Sequence, residues 1–291
     1  MDKKDYRIRG HESFILRDGW LTKGLYAVNS DAKVFSKNSG ADALGVGTNM
    51  AKAIRYWLRA ANLVSDSQKG VFLNDLGTAI FKWDPFFEDV FSLWVVHVNI
   101  AKNIRLATSW HVFFNSIEAV SFRRDELNSM MMDRLIQTIE AEPPERSVKD
   151  DCSAILQMYD DSETDNVGKD PEEKRRSPFS VLGLITKNDK DVFTKCHPAI
   201  DELDSMIVMY ILCDRLQDEG VLQIDAIAND PGMPGKLLNL NRVLINDYLD
   251  DLQHKGYVVV NRTAGLDVVY PDRKISPIEV IKEHYERSRK V

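Results

Sequence analysis

The sequence predicts a mainly α fold: an N-terminal winged helix-turn-helix, a central helical domain and a C-terminal winged-helix-like domain. Three observations lead there. A helix followed by strand, turn and strand is written twice, within residues 39–73 and within residues 239–270. Between them, from Asp84 to Tyr159, apolar residues recur mostly at helical spacing. The chain of 291 residues is 44% hydrophobic and 29% charged, the mix of a globular protein long enough for more than one core. The boundaries drawn are 1–83 for the basic, DNA-binding winged helix, 84–159 for the helical core, 160–177 for a linker or flexible loop, and 178–291 for the acidic C-terminal domain.

Ser39 to Leu44 is expected as a short helix and Gly45-Val46-Gly47 as the turn after it, because glycine tolerates the backbone angles of a sharp reversal. A second helix should run from Thr48 to Asn62. Met50, Ile54, Trp57, Leu58 and Ala61 share its apolar face. Thr48, Lys52, Arg55, Arg59 and Asn62 form a polar, cationic stripe on the other face, without one acid in it. Leu63-Val64, the polar run Ser65 to Gly70 and Val71-Phe72-Leu73 read as a hairpin. In a winged helix-turn-helix the second helix enters the major groove and the hairpin touches the backbone. Lys52, Arg55, Arg59 and Lys69 would then neutralise phosphates, with Thr48 and Asn49 near base edges. The alternative is a protein-docking module whose stripe is a solvated face.

Upstream, Arg7 to Gly24 is dense in anion-contacting residues, among them Arg9, His11, Arg17 and Lys23, interleaved with Phe14 and Trp20, which stack on bases or pack internally. His11 beside Glu12 suits acid–base work or, more commonly, a structural hydrogen-bond pair.

Asp84-Pro85 reads as a cap and first turn for a buried helix from Phe86 to Ile100. Helices are expected at Thr108 to Val120, Arg124 to Glu140 and, with Ser147 as cap, to Tyr159. Asp201 to Glu219 is another. Pro231 to Gly235 reads as a turn, and Asn239 or Asn241 as the cap of a helix to His254, whose stripe is Leu240, Leu244, Tyr248 and Leu252. That helix exposes Asp247, Asp250 and Asp251, which repel phosphate, so the second copy is assigned to packing or partner binding.

Net charge is −7, unevenly spread. Residues 1–64 hold eleven Lys or Arg against six Asp or Glu, whereas residues 141–291 hold twenty against twenty-nine. A polyanion is therefore expected at the N-terminal part. No window is apolar enough for a transmembrane helix, no secretory signal opens the chain, and three widely spaced cysteines fit a reduced interior, so the cytoplasm is expected. Spaced metal-binding motifs and a Walker-type phosphate loop are missing from the sequence. Asp267, Asp272 and Lys274 faintly match an acid–acid–lysine nuclease pattern that surface charge also produces.

Gly10-His11-Glu12-Ser13-Phe14, Arg17-x-Gly-Trp-Leu-x-Lys-Gly24, Leu44-Gly-Val-Gly-x-Asn-Met50 and Ile54-Arg-Tyr-Trp57 carry a resemblance. So do Asp75-Leu-Gly77, Asp84-Pro85, Leu93-Trp94, Ser177-Pro178, Leu182-Gly-Leu-Ile185 and Thr263-Ala-Gly-Leu266. Together they resemble a bacterial family catalogued as a domain of unknown function, found beside PAPS-reductase-like ATP pyrophosphatases in DNA phosphorothioation cassettes. Ser153-Ala154-Ile155 departs from its pattern of Asp-Cys-aromatic. The resemblance implies a protein of the Ssp-type systems that binds double-stranded DNA and nicks one strand so that sulfur can be incorporated. Its partners would be PAPS-reductase-like or ATPase proteins of the same cassette, and Mg2+ its cofactor if it is a nickase. It supplies no catalytic residues. A non-enzymatic adaptor and a winged-helix transcription regulator are the other readings.

Overall fold

The computed structural model describes residues 6–160, 176–199, 202–263 and 265–289, which are mainly helical. The chain divides into two compact units, Met1–Cys196 and His197–Val291.

In the first unit, α1 (Trp20–Ser30) buries Trp20, Leu21, Gly24, Leu25 and Val28, a helical stripe. Its interior glycine has a packing reason. A Cβ at Gly24 would lie 2.7 Å from Leu58 Cδ1, so a side chain there would push the helices apart. A single 3-10 turn (Asn38–Gly40) leads into α2 (Ala41–Leu44), which Gly45 ends at φ 63°. Then comes α3 (Thr48–Ala60), buried at Ala51, Ala53, Ile54, Tyr56, Trp57, Leu58 and Ala60. Met50, expected on that face, is half-buried. The hairpin is β1 (Val64–Ser67) antiparallel to β2 (Gly70–Leu73), with Val64 opposite Leu73. It leads into α4 (Asp75–Trp83), whose cap Asn74 accepts from Gly77 N at 2.9 Å.

The helix expected to start at Asp84-Pro85 starts later. Asp84 is buried and accepts from Glu88 N, Asp89 N and Ser92 Oγ, so its carboxylate organises a loop. Asp89 caps α5 (Val90–Lys102) instead. Next are α6 (Thr108–Ser116), β3 (Ser121–Phe122), α7 (Arg124–Ile139) and α8 (Glu145–Tyr159). Pro144 occupies the position before α8, and Ser147 lies within the helix rather than capping it. Trp94, Trp110, Phe113, Phe114, Tyr159 and Phe179 fill the core, each contributing about 2 to 3 kcal/mol of burial.

Of the expected linker, 161–175 lie outside the described residues. Beyond it, β4 (Ile185–Lys187) and β5 (Phe193–Lys195) complete a three-stranded sheet with β3, in the order β3-β5-β4. Lys195 Nζ adds hydrogen bonds to the Phe113 and Ile117 carbonyls at 2.8 and 2.6 Å. Residues 178–196 therefore pack with the first unit, and the division falls after Cys196 rather than at 178.

The second unit opens with α9 (Ser205–Glu219), capped by Asp204; Asp201, where that helix was expected to start, is not described. β6 (Leu222–Gln223), α10 (Ile224–Asn229), α11 (Pro234–Leu237), α12 (Arg242–His254), β7 (Val258–Asn261), β8 (Val268–Pro271) and α13 (Pro277–Ser288) follow, with sheet order β6-β8-β7. Asn241 caps α12 by accepting from Val243 N and Leu244 N. The buried stripe of α12 is Ile245, Tyr248, Leu249 and Leu252; Leu244 is only half-buried. Among the described residues no helix is long and apolar enough to cross a membrane.

Candidate nucleic-acid interface

The expected contact residues fall into two groups separated by α3. Arg9 and His11 belong to a loop packed on the buried side of that helix. Trp57 donates its indole N–H to the Phe14 carbonyl at 3.1 Å, and the His11 ring lies nearly parallel to the Trp57 ring. His11 is 1% exposed, with Nε2 2.8 Å from Asp151 Oδ1. Asp151 also accepts from Arg9 N and, at 2.5 Å, from Ser109 Oγ. This carboxylate of α8 fastens the loop to the core, and burial removes His11 from any DNA surface. Its partner is Asp151 and not the exposed Glu12. Ser109 donates to the carboxylate and not to the imidazole, so no nucleophile relay is formed.

Arg9 forms an ion pair with Asp150 at 2.9 Å and bonds Ser13, which ties it to α8 and its own loop. Arg17 lies over the rings of Phe14 and Trp20. Lys23 is exposed on α1, in a concavity of about 700 Å3 shared with Tyr26, Lys33 and Lys37.

The second group lies on the open face of α3. Thr48, Asn49 and Lys52 are exposed at its start; Thr48 Oγ1 donates to Asn38 Oδ1 at 3.2 Å. Arg55 and Arg59 follow one and two turns on. The stripe is acid-free along the helix, yet the hairpin supplies the acid. Asp66 Oδ1 lies 2.7 Å from Arg55 Nη2, and Asp66 Oδ2 lies 2.7 Å from Arg59 Nε. The expectation of a stripe with no counter-charge is thereby corrected: the polar run Ser65 to Gly70 read as turn, but β1 continues to Ser67 and carries Asp66 onto the helix. Lys69, exposed at the hairpin tip, lines a concavity of about 210 Å3 with Lys33, Phe35, Arg55, Asp66 and Ser67. Sequence reasoning missed Lys33 and Asp66. The alternation of β1 past Val64 was the available signal for Asp66.

Other chemistry-bearing residues are structural. His97 shares a hydrogen bond of 2.8 Å with the Tyr159 hydroxyl in the core. His111 donates to the Ala101 carbonyl at 3.1 Å, and burial holds its pKa below the usual value. Burial, then the Asp151 charge, pushes the Cys152 thiol far up, so it is no nucleophile. Asp267 of the acid–acid–lysine trio is held by Arg242. Among the described residues no three of His, Cys, Asp and Glu group as metal ligands.

The model of the family described as "Protein of unknown function (DUF4007)" matches residues 8–285. Two solved structures are similar. "Magnesium ion-bound SspB crystal structure" aligns with a TM-score of 0.85 at 22% identity over 99% of this chain and 91% of that one. "SspB crystal structure" aligns with a TM-score of 0.83 at 22% identity over 99% and 92%. At that identity the likeness is one of fold. No curated protein sequence matches the chain.

Proposed function

The chain belongs to this family of unknown function, and from that membership we propose that it is the DNA-binding component of a DNA phosphorothioation defence system, taking part in the nicking of one strand so that sulfur can enter. The observation that carries the reading is the open face of α3, where Lys52, Arg55 and Arg59 follow one another at helical spacing beside a hairpin tipped by Lys69. Taken as a winged helix-turn-helix, α3 lies in the major groove of double-stranded DNA and the hairpin follows the phosphates. Thr48 and Asn49, at the helix start, face base edges, while the cations position the duplex without reading sequence. Lys23 extends the cationic surface; Arg9 and His11, anchored behind α3, hold the loop that supports the helix. PAPS-reductase-like or ATPase proteins of the same cassette are the partners in this reading, and the cytoplasm its place.

One similar structure is described as magnesium ion-bound. Mg2+ asks for an octahedron of oxygens, usually including one or two carboxylates. The acids lining the groove between α7 and α8, Asp125, Asp133, Glu142 and Glu145, do not group as metal ligands, and Glu145 is engaged by Lys149 at 2.6 Å. The described residues therefore do not fit a resident Mg2+, and no step is derived through one.

The second reading, a non-enzymatic adaptor, draws support from α12. Its exposed Asp247 and neighbouring Asp250 and Asp251 suit a basic protein partner better than phosphate. Supercoiled plasmid incubated with purified protein and either Mg2+ or EDTA separates the two. Metal-dependent open-circle product that co-purifies with the protein and vanishes when Lys52, Arg55 and Arg59 are changed to Ala supports the nicking component. Binding without nicking moves the assignment to the adaptor. A triple variant whose duplex affinity and salt slope equal those of the wild type overturns the DNA role of α3.

A further inference from the structure

We infer that the Arg55–Arg59 pair is a phosphodiester-binding site held closed by Asp66, whose carboxylate stands where a backbone phosphate of the bound duplex sits. The inference rests on the DNA-binding reading of α3 and adds to it a specific site and its gate.

The geometry of the contact carries it. The two oxygens of Asp66 are divided between two guanidinium groups, each at 2.7 Å. Two oxygens on one central atom, shared between two arginine forks, is also how a phosphodiester presents its non-bridging oxygens, so the carboxylate and the phosphate compete for the same donors. The surroundings favour the phosphate. The adjoining concavity of about 210 Å3 is lined by Lys33, Arg55 and Lys69, with Ser36 and Ser67 as hydroxyl donors, and Asp66 is the one acid on its wall. A phosphate entering there meets two further ammonium groups that the short Asp66 side chain does not use.

The exchange needs no backbone movement. The hairpin is fixed to the segment after α1, because Val71 N donates to the Ala32 carbonyl at 2.8 Å. Gly70 passes so close that a Cβ there would lie 2.2 Å from the same oxygen. The strand stays and the Asp66 side chain swings. Both arginines and Asp66 keep about a third or more of their side-chain surface in water, at 40, 33 and 35%. An ion pair so exposed contributes little to the fold and exchanges readily. Asp66 therefore screens the arginines from isolated anions, while a polyanion that engages Lys33, Lys52 and Lys69 together displaces it. The gate selects for a backbone over a single phosphate.

The test is fluorescence anisotropy of a labelled 20-base-pair duplex at three salt concentrations. The full-length proteins are wild type, Asp66→Asn, Asp66→Ser, Arg55→Ala/Arg59→Ala, and that double change combined with Asp66→Asn. Glu88→Gln, an exposed acid in the loop before α5, controls for the loss of one negative charge. Far-UV circular dichroism establishes that each is folded, and Asp66→Ser stands in should Asp66→Asn disturb the hairpin. Opening the gate is expected to tighten binding about fivefold to tenfold beyond Glu88→Gln and to steepen the logarithmic salt slope by about one. The gain disappears when both arginines are absent. An Asp66→Asn protein that binds like Glu88→Gln, while the arginine double variant binds more weakly than wild type, overturns the gate and leaves the DNA reading standing. Weaker binding by both Asp66 variants also overturns it, since Asp66 would then position the arginines. If no protein of the set binds the duplex, both readings fall.

Discussion

The helix and hairpin of the first unit and those of the second use one device with the charges exchanged. On α3 the helix carries the guanidinium groups and the hairpin reaches back with a carboxylate, Asp66. On α12 the helix carries the carboxylates. The residue just past β7, Arg262, reaches back to Asp250 at 2.7 Å and to Asn246 Oδ1 at 3.1 Å. Lys255 pairs with Asp251 on the same helix. Each hairpin clasps its helix electrostatically, so the scaffold does not set the partner; the sign of the uncovered helix residues does. Lys52 and Lys69 remain uncovered on the first, Asp247 on the second. The contrast is narrower than segment charges suggest, because each face is partly neutralised by its own wing.

The strongest way to break this contrast is to erase each face in turn. Changing Lys52, Arg55 and Arg59 to Ala should cost about a hundredfold in duplex affinity at low salt and flatten the salt slope by about 2 to 3, whereas Asp247, Asp250 and Asp251 changed to Ala should cost nothing. Equal losses by anisotropy would mean that sign does not divide the two modules. Next in size are two glycines that seat helices against carbonyls. A Cβ at Gly77 would lie 2.0 Å from the Leu63 oxygen, and one at Gly235 2.0 Å from the Ala228 oxygen. Ala at either should destabilise its own unit by about 1 to 3 kcal/mol. All five tryptophans lie in the first unit. Tryptophan fluorescence should therefore follow Gly77→Ala, and circular dichroism alone should follow Gly235→Ala. Removing the caps with Asn74→Ala and Asn241→Ala should cost about 1 kcal/mol each in chemical denaturation, split between the same two signals.

The smallest effect is confined to acid. Burial would raise the Asp204 carboxyl, but hydrogen bonds from His284 and Met206 N outweigh it and hold its pKa below the usual value. A lowered carboxylate adds stability above the ordinary range near about pH 4 and loses it as the pH falls through the lowered value. Asp84, in the first unit, runs the other way. Burial, outweighing its Ser92 and backbone hydrogen bonds, raises its pKa, so acid relieves a cost there. On lowering the pH, circular dichroism should register the second unit weakening before fluorescence registers the first. Asp204→Asn should be less stable than wild type at neutral pH and draw level with it below about pH 4.

Much of α3 was legible because its three- and four-residue spacing is unbroken and Gly45 ends the preceding helix. The same reading missed α1. Its buried stripe from Trp20 to Val28 begins after a left-handed Gly19 with no side-chain cap, and Gly24 in its middle looks like a breaker until Leu58 is seen against it. Asp84-Pro85 misled because a carboxylate that gathers donors for a loop has the same sequence signature as a helix cap. The clasp of Asp151 on His11 joins residues 140 apart, and no local pattern encodes that. Asp66 was hidden for a different reason: its role depends on which side of β1 faces the helix, which the polar run Ser65 to Gly70 does not declare.

The sheet β3-β5-β4 also bears on where the chain can be cut. Its strands come from both sides of residues 161–175, and Lys195 is bonded into the end of α6. Covalent continuity across that stretch is thus unnecessary for the two flanks to stay together. A protein nicked there should elute as one species, and the two fragments, expressed separately, should reassemble by complementation, with the second unit carried along on the peptide that supplies β4 and β5.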